Sequence, residues 1–162
     1  MLTVDRLREL LDYDAASGVL TWKVRRKGHR GIKPGRVAGT PHTGRYVSIR
    51  IDGKAYLAHR LVWLYVTGEW PKLSIDHIDG DKLNNRFNNL RDVTQAINSQ
   101  NIRRPRRTNK VGVLGAASAG KNYQVIIGID YGRRYIGKYA TPDQAHAAYV
   151  KAKRELHPGG TL

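Results

Sequence analysis

The segment at residues 74–101 constrains the fold more than any other part of the sequence, and it reads SIDHIDGDKLNNRFNNLRDVTQAINSQN. Asp76 and His77 follow a short apolar run and are expected to end a strand. Four asparagines fall within positions 84–89, and a Gly- and Asn-rich stretch of this kind is typical of an irregular loop. Residues 90–93 predict a second short strand, after which Thr94 caps a helix with Asn98 one turn inside.

This order of strand, loop, strand and helix would bring Asp76, His77 and Asn98 together. An imidazole beside a carboxylate and an amide oxygen suits the activation of water next to a hard divalent cation. A calcium-binding loop is excluded. Counted from Asp76, it would need Gly and Glu where the chain has Asp81 and Phe87.

The remaining polar residues of this region have plainer interpretations. Asn84, Asn85 and Asn88 are expected to be hydrogen-bonding residues of the loop rather than metal ligands. His59 precedes an apolar helical stretch and is interpreted as a structural residue, or as a phosphate contact at most.

The balance of charge points to the class of partner. The chain carries 29 Lys and Arg residues against 13 Asp and Glu residues, for a formal net charge of +16. A phosphate backbone attracts such a surplus, so nucleic acid is the expected partner. The absence of cysteine excludes disulfides, thiolate zinc sites and cysteine nucleophiles. No apolar run has the length of a membrane span, and we expect a cytoplasmic protein that does not contact a membrane.

The chain divides into three parts by pattern, and the predicted class is α+β. Residues 1–101 open with an amphipathic helix capped by Thr3, on which Leu2, Leu7, Leu10 and Leu11 share one face. Asp52-Gly53 predicts a hairpin turn within a small sheet. Residues 102–110, IRRPRRTNK, lack apolar periodicity and predict a basic linker. Residues 111–162 predict a three-stranded antiparallel sheet with strands at 111–114, 123–129 and 133–139, followed by one helix with Thr141 as its cap. A second basic run occupies residues 23–36.

The segment 74–101 resembles the HNH nucleases of the ββα-metal family, and in particular those of phage and intron-encoded homing endonucleases. The pattern that carries the resemblance is Asp76-His77-x-Asp79-Gly80-x3-Asn84-Asn85-x3-Asn89-Leu90-Arg91, followed by Asn98. The preceding region, from Tyr13 through His59-Arg60-Leu61-Val62-Trp63 to Gly68, is similar as well. The resemblance therefore covers most of residues 13–101, and it assigns residues 1–101 to an HNH nuclease domain.

The resemblance implies a role for each matching residue. His77 would be the general base, Asn89 would tie down the loop and orient His77, and Asp76 and Asn98 would bind one Mg²⁺ or Mn²⁺. The implied activity is hydrolysis of DNA to 5′-phosphate and 3′-hydroxyl ends. One motif gives one active site in a monomer or weak dimer, so nicking is the expected outcome. Many relatives hold a structural zinc with paired cysteines, and none is expected here.

Residues 111–162 resemble the ethylene-response-factor DNA-binding domain, a three-stranded sheet backed by one helix. The resemblance rests on Gly112-Val113, Tyr123-x-Val125, Tyr135-Ile136-Gly137-x-Tyr139, Thr141-Pro142-x3-Ala145 and Ala148-Tyr149. It implies contact with double-stranded DNA through the sheet. Positions where that family presents arginines to bases hold Val111, Leu114 and Ala116, which favours phosphate contacts over base readout. The expected DNA-binding residues of the linker and the module are Arg103, Arg104, Arg106, Arg107, Lys121, Arg133, Arg134, Tyr135 and Lys138.

Two alternatives compete with a metal-dependent endonuclease. A non-catalytic DNA-binding regulator could be built on an HNH scaffold, but the motif residues Asp76, His77, Asn89 and Asn98 are all present. A basic RNA-binding structural protein would explain the charge but not the motif. If the gene is carried by a phage, the protein would act in the host cytosol.

Overall fold

The computed structural model of the chain describes residues 1–25, 32–42, 46–129 and 132–162. Part of the basic run at 23–36 therefore lies outside the described residues. The chain forms two compact units, Met1–Val93 and Thr94–Leu162. Both combine helices with antiparallel sheets, which confirms the predicted α+β class. The predicted domain boundaries at 101/102 and 110/111 stay predictions.

In its described residues, the first unit has two helices and seven short strands that pair in three antiparallel groups: β1 with β2, β3 with β4 and β5, and β6 with β7. Its elements are α1 Val4–Leu10, β1 Leu11–Asp14, β2 Val19–Trp22, β3 Thr40–His42, β4 Tyr46–Ile51, β5 Lys54–Leu57, α2 Ala58–Thr67, β6 Ser74–His77 and β7 Leu90–Val93. A single turn of 3₁₀ helix at Phe87–Asn89 precedes β7.

Local signals in the sequence set most of these boundaries. The Thr3 hydroxyl accepts a hydrogen bond from the Arg6 amide at 3.2 Å and starts α1, as predicted. Asp52 and Gly53 take positive φ values of 45° and 81°, which is the geometry of the predicted two-residue hairpin turn between β4 and β5. Gly68 ends α2 with a left-handed φ of 82°.

The core of the first unit lies between α1, α2 and the small sheets. Leucines from the helices and isoleucines from β4 are buried there. The fully buried members are Leu7, Leu11, Leu61, Val62, Leu64, Ile49 and Ile51. Leu11, predicted to share a helix face with Leu7, instead begins β1 and is buried from the strand. This core supports the two elements that carry the motif, because Ile75 of β6 and Leu90 of β7 belong to it.

The second unit consists of α3 Gln95–Gln100, β8 Ala116–Ala119, β9 Asn122–Ile129, β10 Gly132–Tyr139 and α4 Pro142–Leu156. The sheet is antiparallel with β9 in the centre. Val125 of β9, Ala116 of β8 and Ala145 of α4 form its small core. Thr141 caps α4 through the Gln144 amide, at 3.2 Å, and Pro142 opens the helix as predicted.

The predicted first strand of this sheet was placed too early. Residues 111–114 form turns, and the strand is Ala116–Ala119. The cause is the side chain of Asn109, whose oxygen accepts the amide hydrogens of Val111 at 2.8 Å and Gly112 at 3.2 Å. Gly112 also has a positive φ of 83°, which a strand does not allow. Val111 and Val113 therefore lie in a turn that the side chain of Asn109 holds in shape. The strands predicted at 123–129 and 133–139 are confirmed within one residue.

Candidate active site

Asp76 and His77 end strand β6, directly across from β7. In the antiparallel register Asp76 lies opposite Arg91 and His77 lies opposite Leu90. Both side chains are buried, with exposures of 6% for Asp76 and 4% for His77. The motif thus places two polar side chains in the unit's interior, where each needs polar partners.

The partner of Asp76 is Arg91. Its Nε and Nη2 atoms both donate to Oδ2 of Asp76, at 2.9 and 2.7 Å. The carboxylate is buried and the guanidinium is about three-quarters buried, so this ion pair is only weakly screened by solvent. Arg91 therefore fixes the orientation of the Asp76 carboxylate and balances its charge.

His77 lies in a cluster of aromatic rings and amides. Its Nε2 atom is 3.3 Å from Oδ1 of Asn85. The ring of His59 meets it edge-on, with centroids 5.2 Å apart and an interplanar angle of 89°. Tyr46 packs against both imidazoles, at 5.1 Å from His59 and 6.1 Å from His77. Burial lowers the pKa of His77 below its ordinary value, although the hydrogen bond to Asn85 and the carboxylates nearby act in the opposite direction. The imidazole of His77 is therefore neutral at neutral pH.

His59, at the start of α2, is the more strongly perturbed of the two histidines. Its side chain is 5% exposed. Burial lowers its pKa to about 3, assisted by the positive potentials of His77 and Arg60. His59 is therefore uncharged at neutral pH and does not act as a phosphate-binding cation. Its ring packs against the ring of His77. This agrees with its interpretation as a structural residue.

Asn89 ties the loop between β6 and β7 together. Its side-chain oxygen accepts the amide hydrogen of Asp79 at 3.0 Å. Its Nδ2 donates to the Asp79 carboxylate and to the Asn84 carbonyl, both at 2.9 Å. Its own carbonyl accepts from the Ile78 amide at 2.9 Å. Asn89 thus holds together the two ends of the loop between β6 and β7, whose backbone is not paired in a sheet.

Comparisons with known proteins cover the part of the chain in which these residues lie. Residues 56–100 match the HNH endonuclease family. The chain is also similar to YosQ of the SPbeta prophage in Bacillus subtilis (strain 168), which is provisionally named an HNH homing endonuclease. The two are 39% identical over 71 residues, which is 41% of each chain, so this chain spans less than half of that relative's length. No solved structure matches the chain.

Residues 74–93 hold three of the four predicted catalytic and metal-binding residues, all within the first unit. Asp76 and His77 are the last two residues of β6. Asn89 ends the 3₁₀ turn that precedes β7. Asn98 lies on α3, which belongs to the second unit. Asn85 lies 3.3 Å from Nε2 of His77. The predicted role of Asn89 in orienting His77 stays a prediction.

The Asp76 carboxylate is the hard oxygen donor that the first unit offers to the predicted cation. No group of three or more His, Cys, Asp or Glu side chains in the described part of the chain is placed to hold a metal ion. The predicted set is instead the Asp76 carboxylate and the Asn98 amide. Mg²⁺ typically binds one or two protein carboxylates and keeps several waters. Because Arg91 holds the Asp76 carboxylate in one orientation, this residue is suited to such a site.

The predicted DNA-binding residues fall into two sets. In the linker, Arg104, Arg106 and Arg107 are exposed, whereas Arg103 donates to Thr161 through Nη2. On the sheet, cross-strand pairing puts Arg133, Tyr135 and Lys138 opposite Gly128, Ile126 and Gln124 on the face turned away from α4. Arg134 pairs with the buried Ile127 and so belongs to the other face. Lys121 is exposed in the turn before β9.

Two residues of the site had no assigned role in the sequence. Arg91 was part of the motif, but its ion pair with Asp76 follows only when the strands are aligned, since the two residues are then directly opposite. Tyr13 lies far away in sequence, and its hydroxyl reaches the loop at Asn85 and Phe87.

The family match ends at residue 100, so the likeness of residues 111–162 to an ethylene-response-factor domain stays a prediction. Among the described residues, no helix combines the length and apolar character needed to cross a membrane.

Proposed function

We propose that this protein is a metal-dependent endonuclease that hydrolyses one strand of double-stranded DNA. The observation that carries the proposal is a buried, neutral His77 beside Asp76, at the end of a strand within a segment that matches the HNH endonucleases. A general base must be unprotonated near neutral pH, and burial favours this form of His77 because it lowers the pKa of the ring. The net charge of +16 supports a polyanionic substrate.

In the proposed reaction, His77 accepts the proton of the water that attacks the phosphorus. Asp76 and Asn98 would hold one Mg²⁺ or Mn²⁺, and Asn89 keeps the loop between β6 and β7 in place. When bound, the ion supplies stabilisation of negative charge on the phosphoryl and leaving oxygens. The bond between phosphorus and the 3′ oxygen breaks, and the leaving oxygen takes up a proton from solvent water, which leaves a 5′-phosphate and a 3′-hydroxyl.

The second unit is proposed to hold the DNA. Arg133, Tyr135 and Lys138 share one open face of the sheet, and Tyr135 is 59% exposed. Exposed linker arginines add phosphate contacts, which position the protein without reading sequence. We further propose that the protein acts as a monomer or weak dimer in the cytoplasm, as a homing-type nuclease.

A plasmid assay tests the activity. Supercoiled DNA is incubated with the protein and Mg²⁺ or Mn²⁺, with and without EDTA, and nicked circles should appear only with free metal. DNA ligase should reseal them, because 5′-phosphate and 3′-hydroxyl ends are ligatable.

The matched variants are His77→Ala and His146→Gln. His77→Ala should reduce cleavage roughly 10²- to 10⁴-fold, the range typical of a lost general base, with DNA affinity nearly unchanged. His146 bonds the Leu114 carbonyl in the second unit, and Gln preserves a donor there, so His146→Gln should cut normally. DNA binding without any metal-dependent nicking would instead favour the non-catalytic regulator.

A further inference from the structure

One lysine of the loop between β6 and β7 lies at the edge of the His77 cluster. The side chain of Lys82 is exposed, and its Nζ atom is 4.9 Å from the centroid of the Tyr46 ring. The centroid of this ring is 6.1 Å from that of His77. The ammonium group therefore lies no farther from the centre of the His77 ring than these two distances together, about 11 Å.

The contact with Tyr46 keeps the ammonium group on this side of the site. A cation within about 6 Å of an aromatic centroid is attracted to the face of the ring. Tyr46 in turn packs against the buried ring of His59 at 5.1 Å, so the ring below the cation belongs to a packed cluster. A long and exposed side chain is thus restricted before it binds anything, which lowers the entropy cost of binding.

The loop that carries Lys82 is held in place by the hairpin of β1 and β2. The Tyr13 hydroxyl of β1 donates to the Asn85 carbonyl at 3.2 Å and accepts from the Phe87 amide at 2.9 Å. Gly18, with a φ of 77°, allows the hairpin to approach the loop. A Cβ atom there would lie 2.5 Å from the backbone nitrogen of residue 86. The backbone of the loop is therefore in direct contact with a distant part of the first unit.

The other positive charges of residues 58–93 are engaged or lie elsewhere. The three arginines donate to the Asp76 carboxylate, the Leu73 carbonyl and the Ala16 carbonyl, through Arg91, Arg60 and Arg86 respectively. Lys72 precedes the end of β6 that is opposite to His77. The side chain of Lys82 makes no hydrogen bond or ion pair with any residue that the structure describes. Lys82 is therefore available to an anion from outside the protein.

The two carboxylates nearest to Lys82 in the sequence are used by the loop itself. Asp79 accepts hydrogen bonds from the Asp81 amide at 2.8 Å and from the Asn84 side chain at 2.6 Å. Asp81 accepts the Leu83 amide hydrogen at 3.0 Å. Their negative charges still repel an approaching phosphate chain. Among the described residues of this loop, Lys82 is the uncommitted cation that can offset this repulsion.

We propose that Lys82 binds a phosphate of the DNA strand that is cut, next to but distinct from the phosphate under attack. Phosphates of one strand follow each other every ~3.4 Å along the helix axis, so a reach of about 11 Å limits the contact to the nearest three on either side of the cut. The bound phosphate aligns the strand with His77. The proposal rests on the proposed function for the position of the cut, whereas the contact itself can be measured by binding without cleavage.

Duplexes with one neutral phosphate test the contact. A duplex that the parent protein nicks at a mapped position is synthesised with a single methylphosphonate, placed in turn at each phosphate around the cut on both strands. Affinity is measured in EDTA, where no DNA is cut. In the nicked strand, one of the three phosphates on either side of the cut should lose affinity for the parent when neutralised. The same change should not affect Lys82→Ala, because this variant has no charge to pair with that phosphate.

Lys72→Ala is the matched control, since it removes the same charge from an exposed lysine of the first unit. It should remain as sensitive to the neutral phosphate as the parent. Lys82→Arg keeps the positive charge and should remain sensitive as well. A Lys82→Ala variant with the sensitivity of the parent at every phosphate, or a coupled phosphate on the uncut strand alone, would overturn the proposal.

Two variants of Tyr46 test the ring that holds the ammonium group. Tyr46→Phe keeps an aromatic face and should retain the coupling between Lys82 and the phosphate. Tyr46→Leu removes the face and should weaken this coupling roughly 2- to 5-fold, the range of a cation–π contact at an exposed site. Equal coupling in Tyr46→Leu and the parent would refute the part assigned to the ring.

Cleavage kinetics provide the second readout. At low salt, Lys82→Ala should lower kcat/KM roughly 10-fold, and the loss should shrink as salt is added because the contact is exposed to solvent. His77→Ala should instead lose cleavage at every salt concentration and keep the coupling to the neutral phosphate. A loss in Lys82→Ala that does not depend on salt would contradict a phosphate contact.

The salt dependence of binding separates this proposal from the proposed function. If the parent nicks no DNA, the proposed function fails, and Lys82 can still be tested on an unmodified duplex. The slope of log K against log salt should fall by about 0.9 in Lys82→Ala and stay unchanged in Lys72→Ala. Equal slopes for Lys82→Ala and the parent would show that Lys82 binds no phosphate.

Discussion

Acid should destabilise the Met1–Val93 unit through His59. The folded unit holds the pKa of His59 at about 3, because the ring is 5% exposed. In an unfolded chain the ordinary value of about 6.5 returns. Between these values the unfolded chain binds a proton that the folded unit does not, so stability is complete above pH ~6.5 and falls as the pH drops below it.

The size of the expected loss of stability follows from the interval between the working pH and the pKa of His59 in the unfolded chain. At pH 5 the unfolded His59 is about 1.5 pH units below its pKa, and each unit is worth about 1.4 kcal/mol, so the free energy of unfolding should be about 2 kcal/mol lower than at pH 8. Carboxylates contribute little here, since ordinary Asp and Glu are still ionised at pH 5. His77 adds a loss of the same sign, because burial lowers its pKa as well.

Urea unfolding followed by tryptophan fluorescence measures this loss. Trp22, Trp63 and Trp70 are the three tryptophans of the chain, and all lie in the first unit. His59→Phe keeps a ring against His77 and removes the titration, so its stability difference between pH 8 and pH 5 should be about 2 kcal/mol smaller than the parent's. Tyr46→Phe alters the same cluster without removing a titrating histidine and should retain the parent's difference. A His59→Phe difference equal to the parent's would refute the reasoning.

Three further outcomes are expected. Asp76→Ala should raise the Mg²⁺ concentration for half-maximal cleavage at least ~10-fold without weakening DNA binding, since the carboxylate is the anionic ligand of the proposed set; an unchanged Mg²⁺ titration would remove it from the site. Replacing the three exposed linker arginines by Ser should reduce the slope of log K against log salt by about 2.7, at ~0.9 per phosphate contact; an unchanged slope would show a free tether. Gly18→Ala should cost the first unit more unfolding free energy than Gly53→Ala, because both have positive φ but only Gly18 meets backbone within 3 Å; equal costs would argue against a rigid contact.

The elements around the candidate site were predictable because their signals are local. The caps Thr3, Thr94 and Thr141, the Asp52-Gly53 turn and the end of α2 at Gly68 each act within a few residues. Strands β6 and β7 followed from short apolar runs on either side of a loop that could not be regular. These features also fixed Asp76 and His77 at a strand end.

What the sequence did not predict depends on partners distant along the chain or on a side chain that competes with the backbone. The hydrogen bonds of Tyr13 span more than 70 residues, and no periodicity encodes them. Strand β1 was missed because Leu11 continues the apolar spacing of α1, although the backbone leaves the helix at Leu10. The strand expected at 111–114 was wrong because the Asn109 amide takes the backbone hydrogen bonds that a strand would need.

Because Lys153 is buried, the reactivity of its amine can report when the second unit opens. Lys153 on α4 is 1% exposed, its Nζ donates to the Ile102 carbonyl at 2.5 Å, and burial lowers its pKa. Lys151, two residues earlier on the same helix, is exposed. An amine-acylating reagent should therefore modify Lys151 at once and Lys153 only when α4 detaches from the chain around Ile102. The ratio of the two modified sites, read by mass spectrometry, would time the opening of the unit that has no tryptophan.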